Sequence, residues 1–307
     1  MNPQNDFAFK KIFGSEKNKE IVVALLNTVL NKHLHKPIKE ATFIPRVQDP
    51  TTEAKKASSV DLMCKDQDGC IYIIEMQVVK YEGYKERAQY YASKAYINQA
   101  AKGGKYSKLE KVIFLAFMNY SLFPHKKSHK SNHQILDILT YEQDFDRLAF
   151  TIVDLPKFNK QNKKKVSDLS LEEKFYYFLS HAHDISSEDL KAIIENEPIM
   201  DKAFQALNFH YWTDEELAKY EDEEKQAWDY KSGLLQSQEE GREKGKKEGI
   251  KEGRAEGIKE GKAEGIKEGK EKGRAEGIKE GKDKGRKEAI LELIKKGIIT
   301  KEQADKL

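Results

Sequence analysis

Asp61, Glu75 and Gln77 are the residues whose types and spacing could do chemistry. They sit in two β-rich runs, Ser59-Val60-Asp61-Leu62-Met63-Cys64 and Cys70-Ile71-Tyr72-Ile73-Ile74-Glu75-Met76-Gln77-Val78. Asp66-Gln67-Asp68-Gly69 between them reads as a turn, so the segment predicts a hairpin. A hairpin registered around that turn brings Asp61 and Glu75 from neighbouring strands to one end of a sheet. Glu75 and Gln77 lie two apart and share a face. Two converging carboxylates supply the oxygen ligands that a hard cation such as Mg²⁺ requires, since that ion keeps several waters of its own. A cation held there can lower the pKa of a water and offset charge building on a phosphodiester oxygen. Glu75 also interrupts an apolar run, and an unpartnered charge in such a place is costly. On their own, the two acids fit a solvated or ion-paired strand end at least as well.

The surrounding elements must position them. Pro3 to Asn31 reads as two helices broken at Gly14-Ser15, with Ser15 as an N-cap. Pro37 and Pro45 bracket a loop with a short strand around Thr42 to Ile44. The second hairpin strand is apolar on both faces up to Glu75, which predicts a central strand covered on two sides. Tyr84 to Gln99 carries a broad apolar helical stripe that Gly103-Gly104 ends. Strands are expected at Lys111 to Met118, Gln134 to Thr140 and Ala149 to Leu155. This order predicts an α/β or α+β core with a mixed sheet. Leu171 to Trp228 reads as amphipathic helix, either an appendage or packed onto the core.

Hydrophobic residues make up 38% and charged residues 35% of the 307, a dilution concentrated in one stretch. From Gly241 to Gly285 glycine stands at every fourth position, and Arg254 to Lys262 recurs letter for letter at Arg274 to Lys282. On a helix these glycines drift by about 40° per repeat and form no single face. Each costs a helix about 1 kcal/mol relative to alanine, against about 0.2–0.5 kcal/mol returned by each Glu–Lys pair at i,i+4. The array therefore reads as a spacer or frayed helix, or as a helix packed on a partner through its small residues. Ala289 to Ala304 regains an apolar pattern around Gly297, expected to form a short helical hairpin for docking or self-association.

Several classes fall away. No apolar run is long enough to span a bilayer, and Asp6-Phe7-Ala8-Phe9-Lys10-Lys11 is unlike a secretory signal. Cys64 and Cys70 are too few for a disulfide scaffold or a cysteine zinc cage. A cytoplasmic, reduced protein is expected. The formal net charge is only +3, so attraction to nucleic acid must come from local patches.

Lys55-Lys56-Ala57-Ser58-Ser59-Val60-Asp61, Asp68-Gly69 and Ile74-Glu75-Met76-Gln77-Val78 together resemble the recombination-promoting nuclease (Rpn)/putative transposase family of the PD-(D/E)XK nuclease superfamily. Asn5-Asp6-Phe7-Ala8-Phe9-Lys10-Lys11-Ile12-Phe13-Gly14, Arg87-Ala88-Gln89-Tyr90-Tyr91 with Tyr96, Gly104-Lys105-Tyr106 and Asp154-Leu155-Pro156-Lys157-Phe158 extend the resemblance, in order, over residues 1–160. The resemblance implies a restriction-endonuclease-like mixed sheet flanked by helices, a divalent-metal site (Mg²⁺ or Mn²⁺) and hydrolysis of DNA phosphodiesters linked to recombination and mobile elements. Asp61 and Glu75 would be the metal ligands and Gln77 would position water or phosphate. Gln77 stands where the superfamily usually has lysine. Glutamine supplies no positive charge, so Lys10 or Lys94 is the expected substitute, and Asp6 a possible additional ligand.

Other groups have two readings each. Arg87 suits either a DNA phosphate or a structural ion pair, and the tyrosines of its helix suit core packing. His125, His129 and His133 lie four apart, but Pro124 to Asn132 is polar and reads as a loop. Lys157, Lys160, Lys163, Lys164 and Lys165 suit a DNA backbone or a solvated linker. The expected organisation is a nuclease-like core (1–160), a helical region (161–232), the charged glycine repeat (233–288) and a C-terminal hairpin (289–307). The leading expectation is a metal-dependent DNA endonuclease, with a homo-oligomer formed through the C-terminal region and no membrane partner. The alternatives are a catalytically inactive DNA-binding protein and a protein-interaction scaffold on the same fold.

Overall fold

Two runs with no polar residue on either face, Ile71 to Ile74 and Val112 to Met118, occupy the centre of a six-stranded sheet. In a computed structural model describing residues 1–45, 47–48, 58–100 and 104–301, the strands are β1 (Ala41–Phe43), β2 (Leu62–Asp66), β3 (Ile71–Gln77), β4 (Val112–Met118), β5 (Lys130–Gln134) and β6 (Leu148–Asp154). Their order is β1-β2-β3-β4-β6-β5. β1–β2, β2–β3 and β5–β6 pair antiparallel, whereas β3–β4 and β4–β6 pair parallel. The sheet is therefore mixed, as the element order predicts. Val47–Gln48 and Ser58–Ser59 form a separate two-residue ladder. Lys55 to Ala57 and Gly103 lie outside the described residues.

The period-two alternation of β3 assigns its faces. Tyr72, Ile74 and Met76 join the larger core, made with α1 (Asp6–Phe13), α2 (Lys19–Val29), α4 (Leu155–Gln161), α5 (Leu171–His181) and α7 (Pro198–Leu207). Ile71 and Ile73 face α3 (Tyr84–Ile97), whose Ala88, Ala92 and Ala95 allow a close approach to the sheet. Continuing that alternation puts Glu75 and Gln77 on the α3 side. Phe175, Phe178, Leu179 and Met200 belong to the larger core, so the helical region after residue 160 packs on the sheet instead of standing apart.

One local expectation is corrected. The edge strand is β5, Lys130–Gln134, and not Gln134 to Thr140. The apolar run Ile135-Leu136-Asp137-Ile138-Leu139 instead turns, because the Asp137 carboxylate accepts the Leu139 and Thr140 amides at 2.7 and 2.8 Å. Ser15 caps a short 3₁₀ turn ahead of α2 by accepting from the Lys17 amide.

The chain divides into two compact units, Met1–Trp228 and Asp229–Leu307. Helix α6 (Ser187–Ile194) completes the first, together with the start of α8 (Asp214–Lys295). The second consists chiefly of the rest of α8, including the glycine array, where a Cβ added to any of its glycines would meet nothing within 4 Å. Ala289 to Lys295 continue this helix, Gly297, at φ +69°, makes a left-handed turn after it, and Lys301 is again helical; the rest of the expected hairpin's second arm lies outside the described residues. Residues 302–307 lie outside the described residues. No helix among the described residues is long and apolar enough to cross a membrane.

Candidate active site

Leu62 pairs with Ile74 in the β2–β3 register, so Asp61, one residue before β2, comes opposite Glu75. There the backbone ladder gives way to side chains. The Asp61 amide donates to Glu75 Oε1 at 3.2 Å, and the Met76 amide donates to Asp61 Oδ2 at 2.8 Å. Each carboxylate is thus held by the other strand's main chain. Gln77 Nε2 donates to Glu75 Oε2 at 2.8 Å, and Arg87 Nη2 donates to Gln77 Oε1 at 2.8 Å. A primary amide can donate on one side and accept on the other. Gln77 therefore links an anion to a cation, which a lysine could not do.

Arg87 comes from the second turn of α3, a helix entered through Gly83 at φ +75°. Its guanidinium lies 5.0, 5.5 and 5.9 Å from the Tyr84, Tyr81 and Tyr91 ring centroids. Stacking of this kind holds a cation in place and screens it from water. Tyr84 Oη and Arg87 Nε are buried without a hydrogen-bond partner among the described residues. They are donors beside the carboxylates with capacity to spare.

Burial sets the electrostatics. Glu75 is only 3% exposed. Desolvation, followed by the Asp61 charge, pushes its carboxyl up to about 8. Desolvation likewise pushes Asp61 up to about 6, with Asp6 adding to the rise while the Met76 amide, Lys10 and Arg87 oppose it. Two neighbouring acids that each resist ionisation accommodate either a shared proton or a cation.

Asp6 and Lys10 form an ion pair one turn apart on α1, and both act on Asp61 through their fields. Lys94, two turns beyond Arg87 on α3, is buried, with Nζ 6.0 Å from the Tyr90 ring centroid. The structure thus joins Asp61, Glu75, Gln77 and Arg87 by direct hydrogen bonds. Glu223 has no counterpart in the sequence reading. From α8 it accepts the Phe7 amide at 3.2 Å, and burial and the adjacent Asp6 raise its pKa. The signal available was helical spacing, since Glu216, Tyr220 and Glu223 share the stripe that meets α1. The three histidines do not form a ligand set. His129 packs on the Phe158 and Tyr176 rings, whereas His133 lies against Phe123.

Among the described residues, no three His, Cys, Asp or Glu side chains gather into a metal cage. The donors present are two hard carboxylates whose charged forms burial disfavours, Glu75 further through the Asp61 charge and Asp61 through that of Asp6. They fit an ion that carries most of its own waters, as Mg²⁺ does.

A family model described as PD-(D/E)XK nuclease family transposase matches residues 3–237. The chain belongs to this family. The match extends well past residue 160 and takes in α5, α6, α7 and the start of α8, the helices that complete the larger core and cap α1. A nuclease-like function follows from membership. Comparison with curated proteins and with solved structures gives no match.

Proposed function

We propose that the protein is a metal-dependent DNA endonuclease with Asp61 and Glu75 as metal ligands. The observation that carries this reading is the reciprocal hold of the two carboxylates at the β2–β3 fork, where burial disfavours both charges. A divalent cation bound there would supply charge neutralisation and a water of lowered pKa. The chain's own residues have separate parts. Gln77 fixes the Glu75 carboxylate with its amide donor. Arg87 holds Gln77 in place from α3. Asp6 and Lys10 set the field at Asp61 from the other side. The transposase description of the family supports placing this cleavage in DNA rearrangement.

The test is plasmid incubation with Mg²⁺ or Mn²⁺ for wild type, Asp61→Asn and Glu75→Gln, followed by gel analysis. Metal-dependent nicking that falls at least 100-fold in both variants is expected. A band shift without nicking would support the DNA-binding alternative, which the glutamine at position 77 favours. Neither nicking nor a shift would support a scaffold.

A further inference from the structure

The lysines of two segments far apart in sequence form one surface. Gln161 Nε2 donates to the Lys127 carbonyl at 2.5 Å, and His129 Nδ1 lies 3.4 Å from Gln161 Oε1. Lys157 Nζ donates to the Phe123 carbonyl at 2.6 Å. These contacts fasten the connection between β4 and β5 to α4 and the segment that follows it. Three lysines of the combined surface are matched by acids: Lys157 by Asp154, Lys130 by Glu172 and Lys164 by Glu173. Among the described residues, Lys126, Lys127, Lys160, Lys163 and Lys165 have no ion-pair partner, and all but Lys126, whose Nζ lies 4.9 Å from the Phe123 ring centroid, are exposed.

Register places this surface relative to the carboxylates. Gln77 pairs with Met118, and Met118 pairs with Asp154, the residue before α4. The parallel strands therefore end together, with α4 beginning two strands, about 10 Å, from Gln77 and packing through Leu155 and Phe158 on the sheet face opposite α3. The chain's net charge of +3 offers little general attraction, so binding to a polyanion must come from local clusters such as this one.

We infer that Lys126, Lys127, Lys160 and Lys163 form a phosphate-binding track for the DNA flank beside the carboxylate site. The proposal deepens the endonuclease reading and rests on it for the position of the scissile bond, but the binding it asserts can be measured without cleavage. Unpaired lysines on a firm backbone exchange counterions for phosphates without losing existing ion pairs, and such contacts make affinity depend steeply on salt. The track reads no base, so it binds duplexes of any sequence alike.

The experiment measures fluorescence anisotropy of a labelled 30-base-pair duplex without divalent metal over a salt series. It compares the full-length wild type, K126E/K127E/K160E/K163E, and the control K36E/K39E, whose exposed lysines precede β1 at the opposite end of the sheet. The four-site variant is expected to bind at least tenfold more weakly, with the log–log salt slope flattened by about 3 to 4. The control is expected to match wild type. Should the four-site variant misfold on a circular dichroism melt, K160E/K163E alone is read, with at least a threefold loss expected. Unchanged affinity and slope in a folded variant would overturn the track, as would equal competition by polyglutamate at matched charge. Loss of binding in a protein whose wild type does not nick plasmid would keep the track and reject the endonuclease reading.

Discussion

At the residue scale, Gln77 decides how the site is balanced. It is 9% exposed and engaged at both ends, so an apolar replacement of similar shape would leave Glu75 Oε2 and Arg87 Nη2 each without a partner. Gln77→Met is expected to lower stability by about 1–3 kcal/mol, from the desolvation of groups left unpaired. Urea denaturation at fixed pH measures that loss. Metal-dependent nicking is expected to fall at least tenfold in the same variant. His33 gives a pH-dependent counterpart away from the carboxylates. It is 5% exposed, with Nε2 3.2 Å from Asn132 Oδ1 and Nδ1 3.1 Å from Gln134 Nε2. Burial first, and then Lys111, Lys130 and His133, lowers its pKa, while the Asn132 hydrogen bond opposes them. The folded chain therefore refuses a proton that the unfolded chain accepts below about pH 6.5. Its stabilising contribution is complete above that pH and declines as the pH falls. Over pH 7.5 to 5.5 the raised Glu75 and Asp61 carboxyls act in the opposite direction, so the effect is read as a difference: the urea midpoint of His33→Gln is expected to rise relative to that of wild type as the pH falls.

At the element scale, the sequence was most informative where periodicity was strong. The apolar runs of β3 and β4 predicted central strands, and the turn at Asp66 to Gly69 predicted the register that sets Asp61 against Glu75. Polar elements were harder to read. β5 is Lys130-Ser131-Asn132-His133-Gln134, an edge strand without an apolar face, while the apolar segment after it turns on the Asp137 carboxylate. Local hydrogen bonding there outweighed composition. The cation facing Gln77 was also not determined by spacing, because it depends on how α3 docks, and that contact is long-range. α1 makes a second long-range contact. A Cβ on Gly14 would lie 2.7 Å from the Lys10 carbonyl and 2.3 Å from Leu62 Cδ2. Leu62 can shift, but the carbonyl is backbone, and moving it disturbs the end of α1 next to the residue after Asp61. Gly14→Ala is expected to cost about 1–3 kcal/mol, in the range of overpacked core positions. Thermal melts would check this, and a variant as stable as wild type would show that α1 is not tightly seated there.

At the scale of the whole molecule, α8 has a different character on each side of residue 228. Its first turns belong to the compact unit Met1–Trp228. The Tyr220 hydroxyl accepts the Asn2 amide at 2.8 Å, Glu224 Oε1 accepts from Asn5 Nδ2 at 3.1 Å, and Glu216 pairs with Lys11. With Glu223 on the Phe7 amide, these contacts satisfy and orient the start of α1, the helix that carries Asp6 and Lys10. The family match ends at residue 237, just after this clamp and before the glycine array. A chain ending at Ser237 is therefore expected to melt within about 2 °C of the full chain and to nick plasmid at a similar rate. A chain ending at Thr213 loses the clamp. At about 1 kcal/mol per hydrogen bond and more for charged partners, it should be less stable by roughly 3–5 kcal/mol. Its nicking should fall further than its folded fraction, because α1 would no longer hold Asp6 and Lys10 beside Asp61. Equal melting of the two shortened chains would mean that α1 is seated by the sheet alone. The array would then be the remaining candidate for α8's role, to be read from elution mass at several concentrations with and without residues 238–307. A mass that rises with concentration only when the array is present is the result expected for self-association.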